Sequence, residues 1–394
     1  MTALNGKGQW HEVKRLLDKT FISGVYTTKQ GRRLEESADE LLAESLFGAI
    51  ADAGLEPSEV DGLGGLRSPV ESASQAFAGK WAEILGHPLR YYTTVDAASA
   101  SHCAVLLHAA LAVGTGLAKH VVVLGGGSRS RGDRVNEMAS WHGEFDTSWG
   151  TLIPSWFALI AQRHMFQYGT TAEQLAEVAV STRRWASMNP DAIMRKPITV
   201  DDVISSRMIS SPLHLLDCCL VNDGAGAVVI SSAASGSANG KRPIKILGGS
   251  EEYTFRGYTD VQHDMLDSGA TRTARTAMEM AGVSHDDIDV AELYDCFTIT
   301  VLRLLEDFGF CKPGESGDFV SGGRLGPTGS LPTNTHGGGL SFSHSFSGLS
   351  HTIEAVRQLR GECGQRQVPN ANIAVAHSNG GPLALHSTLV LGAG

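Results

Sequence analysis

The sequence predicts an α/β protein made of two duplicated halves. Residues 53–61 (AGLEPSEVD) recur at 281–289 (AGVSHDDID) with no insertion or deletion. In both places a helix-like stretch precedes the repeat, and a short apolar or mixed run with strand character follows it. Strand and helix patterns alternate along both halves, which favours an α/β class with mostly parallel strand pairing. Internal repetition of this kind indicates two copies of one folding unit.

The first half is predicted to contain an outer helix and a central one. Residues 35–53 place apolar side chains at a spacing near 3.6, which indicates a helix, and Gly54 suits its C-cap. Residues 100–113 are apolar on nearly every side, which is typical of a helix buried between two sheets. Strands are predicted at 60–63, 89–96, 121–124 and 225–230.

Two segments interrupt the repeat. Residues 128–216 depart from it and are interpreted as an inserted loop domain, and residues 231–243 read as a small-polar linker. We therefore predict an N-terminal half over 1–243, with the insertion at about 128–216, and a C-terminal half over 244–394. The second half is predicted to contain helices at 270–281, 297–307 and 344–359 and strands at 288–293 and 373–376.

Composition excludes several classes of function. The net charge of −10 argues against nonspecific binding of nucleic acid. No apolar run reaches about 18 residues, so we expect no membrane span, and the N-terminus lacks an apolar signal core. The six cysteines lack zinc-ligand spacing, which favours reduced thiols in a cytoplasmic protein and no metal site.

Four candidate catalytic residues lie where predicted elements begin or end. Ser99 and His344 lie at equivalent turns before the central helices of the two halves, while Tyr294 and His377 each end a predicted strand. Ligands of α/β proteins bind beyond the carboxyl ends of parallel strands. Helix N-termini, in addition, favour a developing negative charge. These positions predict one shared site.

Five short motifs, spread over most of the chain, together carry a family resemblance. They are Ser99-Ala100-Ser101, Asp217-Cys218-Cys219 with Asn222-Asp223-Gly224-Ala225, Tyr294-Asp295-Cys296-Phe297, Gly338-Gly339-Leu340-Ser341 with Ser343-His344-Ser345, and His377-Ser378-Asn379-Gly380-Gly381. On these motifs the chain resembles the thiolase superfamily, in particular the lipid-transfer-protein thiolases of sterol carrier protein x type. The resemblance covers nearly the whole chain and implies the five-layered α-β-α-β-α thiolase fold.

The chain departs from the family pattern at the reactive positions. Ser99 stands where the family has its nucleophilic cysteine, and a hydroxyl at a helix start does not ionise as a thiol does. His102 replaces a small glycine, and Tyr294 replaces a histidine that helps to hold the thioester oxygen. His344 and His377 remain.

These departures resemble those of family members that act as aldolases. The resemblance implies retro-aldol cleavage of a β-hydroxyacyl-CoA into an acyl-CoA and a ketone or aldehyde, without an acyl-enzyme. It implies no tightly bound cofactor, since coenzyme A is part of the substrate. It also implies a homodimer and an OB-fold, zinc-ribbon partner protein in a heterotetramer. The resemblance does not specify which acyl group the substrate carries.

Roles follow from the resemblance as hypotheses. Tyr294 is assigned proton transfer at the substrate hydroxyl, with its pKa lowered by a neighbouring histidine. His344, at a helix N-terminus, is assigned hydrogen-bond donation to the thioester oxygen. His377 is assigned acid or base catalysis at the enolate carbon. Ser99 fills the vacated position and binds water or a substrate oxygen. The backbone of Gly380 is assigned to an oxyanion hole, and His102, Asn379, Gly338 and Gly339 to substrate binding.

Alternatives stay open for the function and for single residues. An acyltransferase would form an acyl-enzyme on Ser99 or Cys103, and a degenerate subunit would only support a partner. Ser99 also fits a plain helix N-cap, and His351 fits a packing or surface group. The arginines of residues 128–134 (SRSRGDR), among them Arg129, fit either a contact with coenzyme A phosphates or a solvated loop.

Overall fold

The protein, as a computed structural model, is described over residues 10–65, 77–130, 152–236, 239–254 and 265–393. Its α-helices are α1 (His11–Leu17), α2 (Ala38–Ala53), α3 (Phe77–Leu85), α4 (Ser101–Thr115), α5 (Ile153–Tyr168), α6 (Ala172–Ser187), α7 (Val200–Ile204), α8 (Ala270–Ala281), α9 (Thr298–Asp307), α10 (Ser316–Val320) and α11 (Leu349–Arg360). Its strands are β1 (Thr20–Thr27), β2 (Gly62–Gly65), β3 (Tyr91–Thr94), β4 (His120–Ser128), β5 (Met208–Ser210), β6 (Leu213–His214), β7 (Asp223–Ser232), β8 (Ile244–Tyr253), β9 (Val290–Leu293), β10 (Ile373–Gly380) and β11 (Leu385–Ala393).

Nine of these strands hydrogen-bond in the order β3-β2-β4-β7-β1-β8-β11-β10-β9. The first five belong to the predicted N-terminal half and the last four to the C-terminal half. The two sets meet through a single pair, Ile22 with Ile244. The strands of each half therefore form their own sheet, and the two sheets touch at one edge.

The expectation of mostly parallel pairing is wrong. Only β2 with β3, β2 with β4 and β9 with β10 pair in parallel, while five other pairings in the nine-strand array are antiparallel. The connection from β10 to β11 shows the reason, because residues 381–384 are too few for the crossover that a parallel pair requires.

Helices α4 and α11 form the middle layer of the fold. Each packs against strands of both halves, whereas α2 covers the outer face of the first sheet and α8 that of the second. The result is the five-layered α-β-α-β-α arrangement. Over Ala98–Thr115 the segment around α4 is apolar enough to pass for a membrane span, but 72% of that window is buried inside the protein. A core helix of this fold accounts for that composition.

The repeated nine residues perform the same structural task in both halves. Gly54 and Gly282 end α2 and α8 with φ of 71° and 72°, a left-handed conformation that glycine adopts at low cost. Asp61 then accepts hydrogen bonds from the backbone N–H groups of Lys119 and His120. Its counterpart Asp289 accepts them from Asn372 and Ile373. The repeat thus ties each outer helix to the start of a sheet strand.

Gly24 and Gly248 provide a test of this equivalence. A methyl group added at Gly24 of β1 would lie 2.2 Å from the carbonyl oxygen of Ala49, and one at Gly248 of β8 would lie 2.2 Å from that of Ala277. We expect Gly24→Ala and Gly248→Ala each to lower the free energy of unfolding by about 1–3 kcal/mol, because the outer helix must move away. Chemical denaturation measures this change, and a variant as stable as the parent would contradict it.

Strand β4 ends at Ser128, and the segment predicted as an insertion follows it. Its described part contains α5, α6, α7 and the two-stranded β5–β6 ladder. Residues 131–151, with Arg131 and Arg134, lie outside the described residues.

Candidate active site

Three of the predicted catalytic side chains form one hydrogen-bonded chain. The hydroxyl of Tyr294 donates to Oγ of Ser99 at 3.0 Å, and Nε2 of His344 lies 2.8 Å from the same hydroxyl oxygen. Ser99 and His344 are half-buried, while Tyr294 between them is only 4% exposed. A buried phenol therefore connects a hydroxyl of the first half to an imidazole of the second.

Ser99 lies in a tight loop before α4 and is not the N-cap of that helix. The helix begins at Ser101, and Oγ of Ser101 accepts the backbone N–H of Ala97 at 2.9 Å. Ala98 has φ of 48°, an unusual conformation for a residue with a Cβ. The N-cap interpretation is thus wrong, because Ala100 is the N-cap of α4 and no side chain caps the helix, while the hydroxyl of Ser99 meets Tyr294.

The environment of Tyr294 corrects the predicted direction of its pKa. Burial raises the pKa of Tyr294 well above its usual value, and the nearby thiols of Cys296 and Cys219 add to the rise. The hydrogen bond to Ser99 and the charge of Arg129 act in the opposite direction. The expected lowering of the pKa by a histidine is therefore wrong, and Tyr294 is a neutral phenol that donates a proton.

His344 lies in the loop after a π-helical turn, Gly338–Phe342, and before α11. The prediction of a helix starting at His344 is wrong, since α11 begins at Leu349 after Gly348. The backbone N–H of His344 instead donates to Oδ1 of Asn222 at 2.9 Å, and its carbonyl accepts from Nη1 of Arg129 at 3.3 Å. His344 is held by side chains and not by a helix end.

His377 lies on the opposite face of its sheet. Its Nδ1 is 2.8 Å from Oγ1 of Thr388, whose hydroxyl donates to Thr273 of the outer helix α8. Its ring also packs edge-on against Phe308, with 5.3 Å between centroids. Burial, followed by the charge of His386, lowers the pKa of His377 well below its usual value. The structure thus separates His377 from the Tyr294 chain, because the neighbouring residue Ser378 takes the inward position.

Gly380 and His102, two of the predicted site residues, adjoin the Ser99 loop. A methyl group added at Gly380 would lie 2.2 Å from the carbonyl oxygen of Ala97, so only glycine permits this approach. His102 is buried, with Nδ1 3.0 Å from the carbonyl oxygen of Ser99. Burial lowers the pKa of His102 to about 4, so the ring is neutral. Asn379 is buried too, and its Nδ2 donates to the carbonyl of Gly381 at 3.3 Å.

Gly338 and Gly339 lie against Asp295, which sequence reasoning did not select. Oδ1 of Asp295 accepts the N–H of Gly339 at 2.6 Å, and Oδ2 accepts that of Leu340 at 3.3 Å. A methyl group at Gly338, whose φ is 54°, would lie 2.0 Å from Asp295. Asp295 therefore shapes the loop that leads to His344. Its position next to Tyr294 in the Tyr-Asp-Cys-Phe motif is the sequence feature that could have identified Asp295.

Glu292, His336 and His351 place three ligand-type atoms within 4.8 Å of one another. The donor set does not fit a metal ion. Nδ1 of His351 accepts the backbone N–H of Gly348 at 3.2 Å, which leaves the ring proton on Nε2. A protonated nitrogen is not a ligand, and this one lies 3.2 Å from Oδ1 of Asp295. Burial also raises the pKa of Glu292 to about 8.

With this fold and site, the chain belongs to the thiolase superfamily. The family described as "Thiolase, N-terminal domain" matches residues 22–234, and "Thiolase C-terminal domain-like" matches residues 252–393.

Two relatives and one solved structure stand out. The chain is 34% identical to a steroid side-chain-cleaving aldolase of Thermomonospora curvata, covering 94% of this chain and 97% of the relative. It is 33% identical to an acetyl-CoA acetyltransferase of Methanothermobacter thermautotrophicus, covering 91% and 96%. The solved Ltp2-ChsH2(DUF35) aldolase superposes with a TM-score of 0.84 at 32% identity, covering 95% of this chain and 98% of that one.

Proposed function

We propose that the protein is a retro-aldolase that splits a β-hydroxyacyl-CoA into an acyl-CoA and a ketone or aldehyde. The observation that carries this proposal is the hydroxyl of Tyr294, fixed between His344 and Ser99, the residue that stands where the family has its nucleophilic cysteine. The aldolase named among the relatives supports the reaction class, and its steroid side-chain substrate suggests a branched β-hydroxyacyl group.

The reaction runs as a proton relay. The hydroxyl of Tyr294 turns its proton from Ser99 toward Nε2 of His344. The proton then moves to His344 while the Tyr294 oxygen takes the proton of the substrate hydroxyl. The bond between Cα and Cβ breaks, Cβ becomes the carbonyl of the released ketone or aldehyde, and the electron pair becomes the thioester enolate. The proton returns from His344 through Tyr294 to the enolate carbon. The same two groups thus perform the role assigned to His377 from the sequence.

The enolate oxygen needs donors, and we assign it to the junction of the Ser99 loop and Gly380. Gly380 lies against Ala97 with no room for a side chain. A donor aimed at such an oxygen contributes about 3–4 kcal/mol to the transition state. His102 lies beside this junction, with Nδ1 3.0 Å from the carbonyl oxygen of Ser99.

An acyltransferase would require an ionised nucleophile, and the nearby candidates are unsuited to that role. Cys103 is buried against Oγ of Ser378 at 3.1 Å, and burial raises the pKa of this thiol to about 11. Ser99 accepts the proton of a neutral phenol, so Tyr294 does not act as its base.

The proposed assembly follows the solved relative, which is named as a complex with a DUF35 protein. We infer a small OB-fold, zinc-ribbon partner for this chain as well, together with a homodimer in the cytoplasm. Coenzyme A enters as part of the substrate, and the chemistry above uses no other cofactor.

The proposal is tested with the protein bound to its partner. A 3-hydroxy-3-alkyl acyl-CoA is added, and the ketone and the shortened acyl-CoA are quantified together. Equal amounts of both products are expected. Formation of a new acyl-CoA only when free coenzyme A is supplied would identify a thiolase instead.

Ser99→Ala is expected to retain most of the turnover, with a loss below about tenfold, because a positioning hydrogen bond is worth about 1 kcal/mol. Steady-state kinetics of the variant measure this loss. Complete inactivation would favour covalent chemistry on Ser99.

A further inference from the structure

Arg129 connects the two halves of the chain at the active site. It follows β4 of the first half, and its Nη1 donates to the carbonyl oxygens of both His344 and Ser345 in the second half, each at 3.3 Å. The side chain is half-buried. The structure therefore rejects the solvated-loop interpretation of Arg129 and directs its guanidinium group toward the His344 loop.

The backbone that presents Arg129 is fixed on both sides. Ser128 pairs with Asp223 in the β4–β7 ladder. The carboxylate of Asp223 then accepts both the N–H and the hydroxyl of Ser130, each at 2.6 Å. A side chain that starts from a fixed backbone loses less conformational entropy when it makes its hydrogen bonds.

The loop that receives Arg129 is held at several points. Asn222 accepts the N–H of His344, while Arg129 donates to the carbonyl of the same residue. The hydroxyl of Ser345 also donates to the carbonyl of Gly127 at 3.0 Å, next to the end of β4. These contacts fix the backbone from which the imidazole reaches Tyr294.

The charge of Arg129 also acts on the phenol. It lowers the pKa of Tyr294, against the larger opposing effect of burial. As the phenol proton moves toward His344, negative charge develops on the Tyr294 oxygen until the substrate proton reaches it. The charge of Arg129 stabilises this state more than the resting one, which is the requirement for a catalytic effect.

We propose that Arg129 is a positioning residue of the reaction, which holds the backbone of His344 from the other half of the chain. The inference rests on the proposed function. It removes Arg129 from the residues available to bind coenzyme A phosphates, because its guanidinium group is engaged inside the site.

The test compares Arg129→Ala and Arg129→Lys with Arg207→Ala, an exposed control, in complex with the partner. For Arg129→Ala we expect kcat to fall about 100-fold, the cost of misplacing a catalytic group by about 1 Å, with little change in KM. Methylguanidine added to this variant should partly restore kcat. Arg129→Lys, which keeps the charge but loses the double contact, should lie between the variant and the parent.

Wild-type kcat in either Arg129 variant would overturn the inference, as would a loss confined to KM, which indicates phosphate binding. If Arg129→Ala does not fold, Arg129→Lys alone decides between these results. The ¹³Cε1 NMR shift of His344 gives a readout that does not depend on turnover. Arg129→Lys should change the chemical shift of His344, and Arg207→Ala should leave it unchanged. Because this shift is measured without substrate, it tests the inference even if the parent protein cleaves no substrate. Absence of cleavage by the parent would refute only the proposed function.

Discussion

Replacing Tyr294 with phenylalanine is expected to lower kcat about 10³-fold, the usual range for loss of a positioned acid or base. The ring fills the same space, so packing against its surroundings stays intact, and only the hydroxyl between Ser99 and His344 is lost. Binding of the acyl-CoA product, measured by calorimetry, should change little. Stopped assays of ketone release measure the effect on turnover.

Tyr26→Phe is the matched control, because Tyr26 also donates from its hydroxyl to a neighbour, Glu44, but at the surface. It should keep parental kcat. Undiminished turnover in Tyr294→Phe would refute the proton relay, whereas a loss of product binding as large as the loss of kcat would make Tyr294 a binding residue.

Replacing His344 with glutamine is expected to lower kcat by about 10²–10³-fold, because the amide is of similar reach but cannot take up the phenol proton. His285→Gln, at an exposed histidine outside the Tyr294 chain, serves as the control and should leave kcat unchanged.

The double variant Tyr294→Phe with His344→Gln is the sharper test. If the two groups transfer one proton in series, the second substitution adds little to the first, because groups that act as a unit are not additive. A double variant whose loss is the product of the two single losses would show that they act in separate steps.

The repeat predicted the duplicated architecture because its residues have a physical task that recurs. Asp61 and Asp289 each receive two backbone N–H groups at the start of a strand, and Gly54 and Gly282 end the preceding helices. Helix α8 was predicted with its observed bounds, since its apolar spacing and its terminal glycine agree. Local signals of this kind are readable from one sequence.

The site was only partly predictable from the sequence. Which side chains point into it depends on the alternation of residues along a strand and on contacts between residues that are distant in sequence. His377 and Ser378 are neighbours in sequence, yet they face opposite sides of β10, and no motif states which one points inward. The pKa of Tyr294 depends on burial by side chains distant in sequence. The support of His344 by Asn222 and Arg129 likewise joins residues far apart in sequence.

The mass of the intact protein during turnover tests the central claim most directly. Substrate is added to the partner-bound protein, and the reaction is quenched in acid while ketone is still being released. The proton relay predicts that the chain keeps its unmodified mass at every time point. A species heavier by the acyl group, which disappears when free coenzyme A is added, would contradict it.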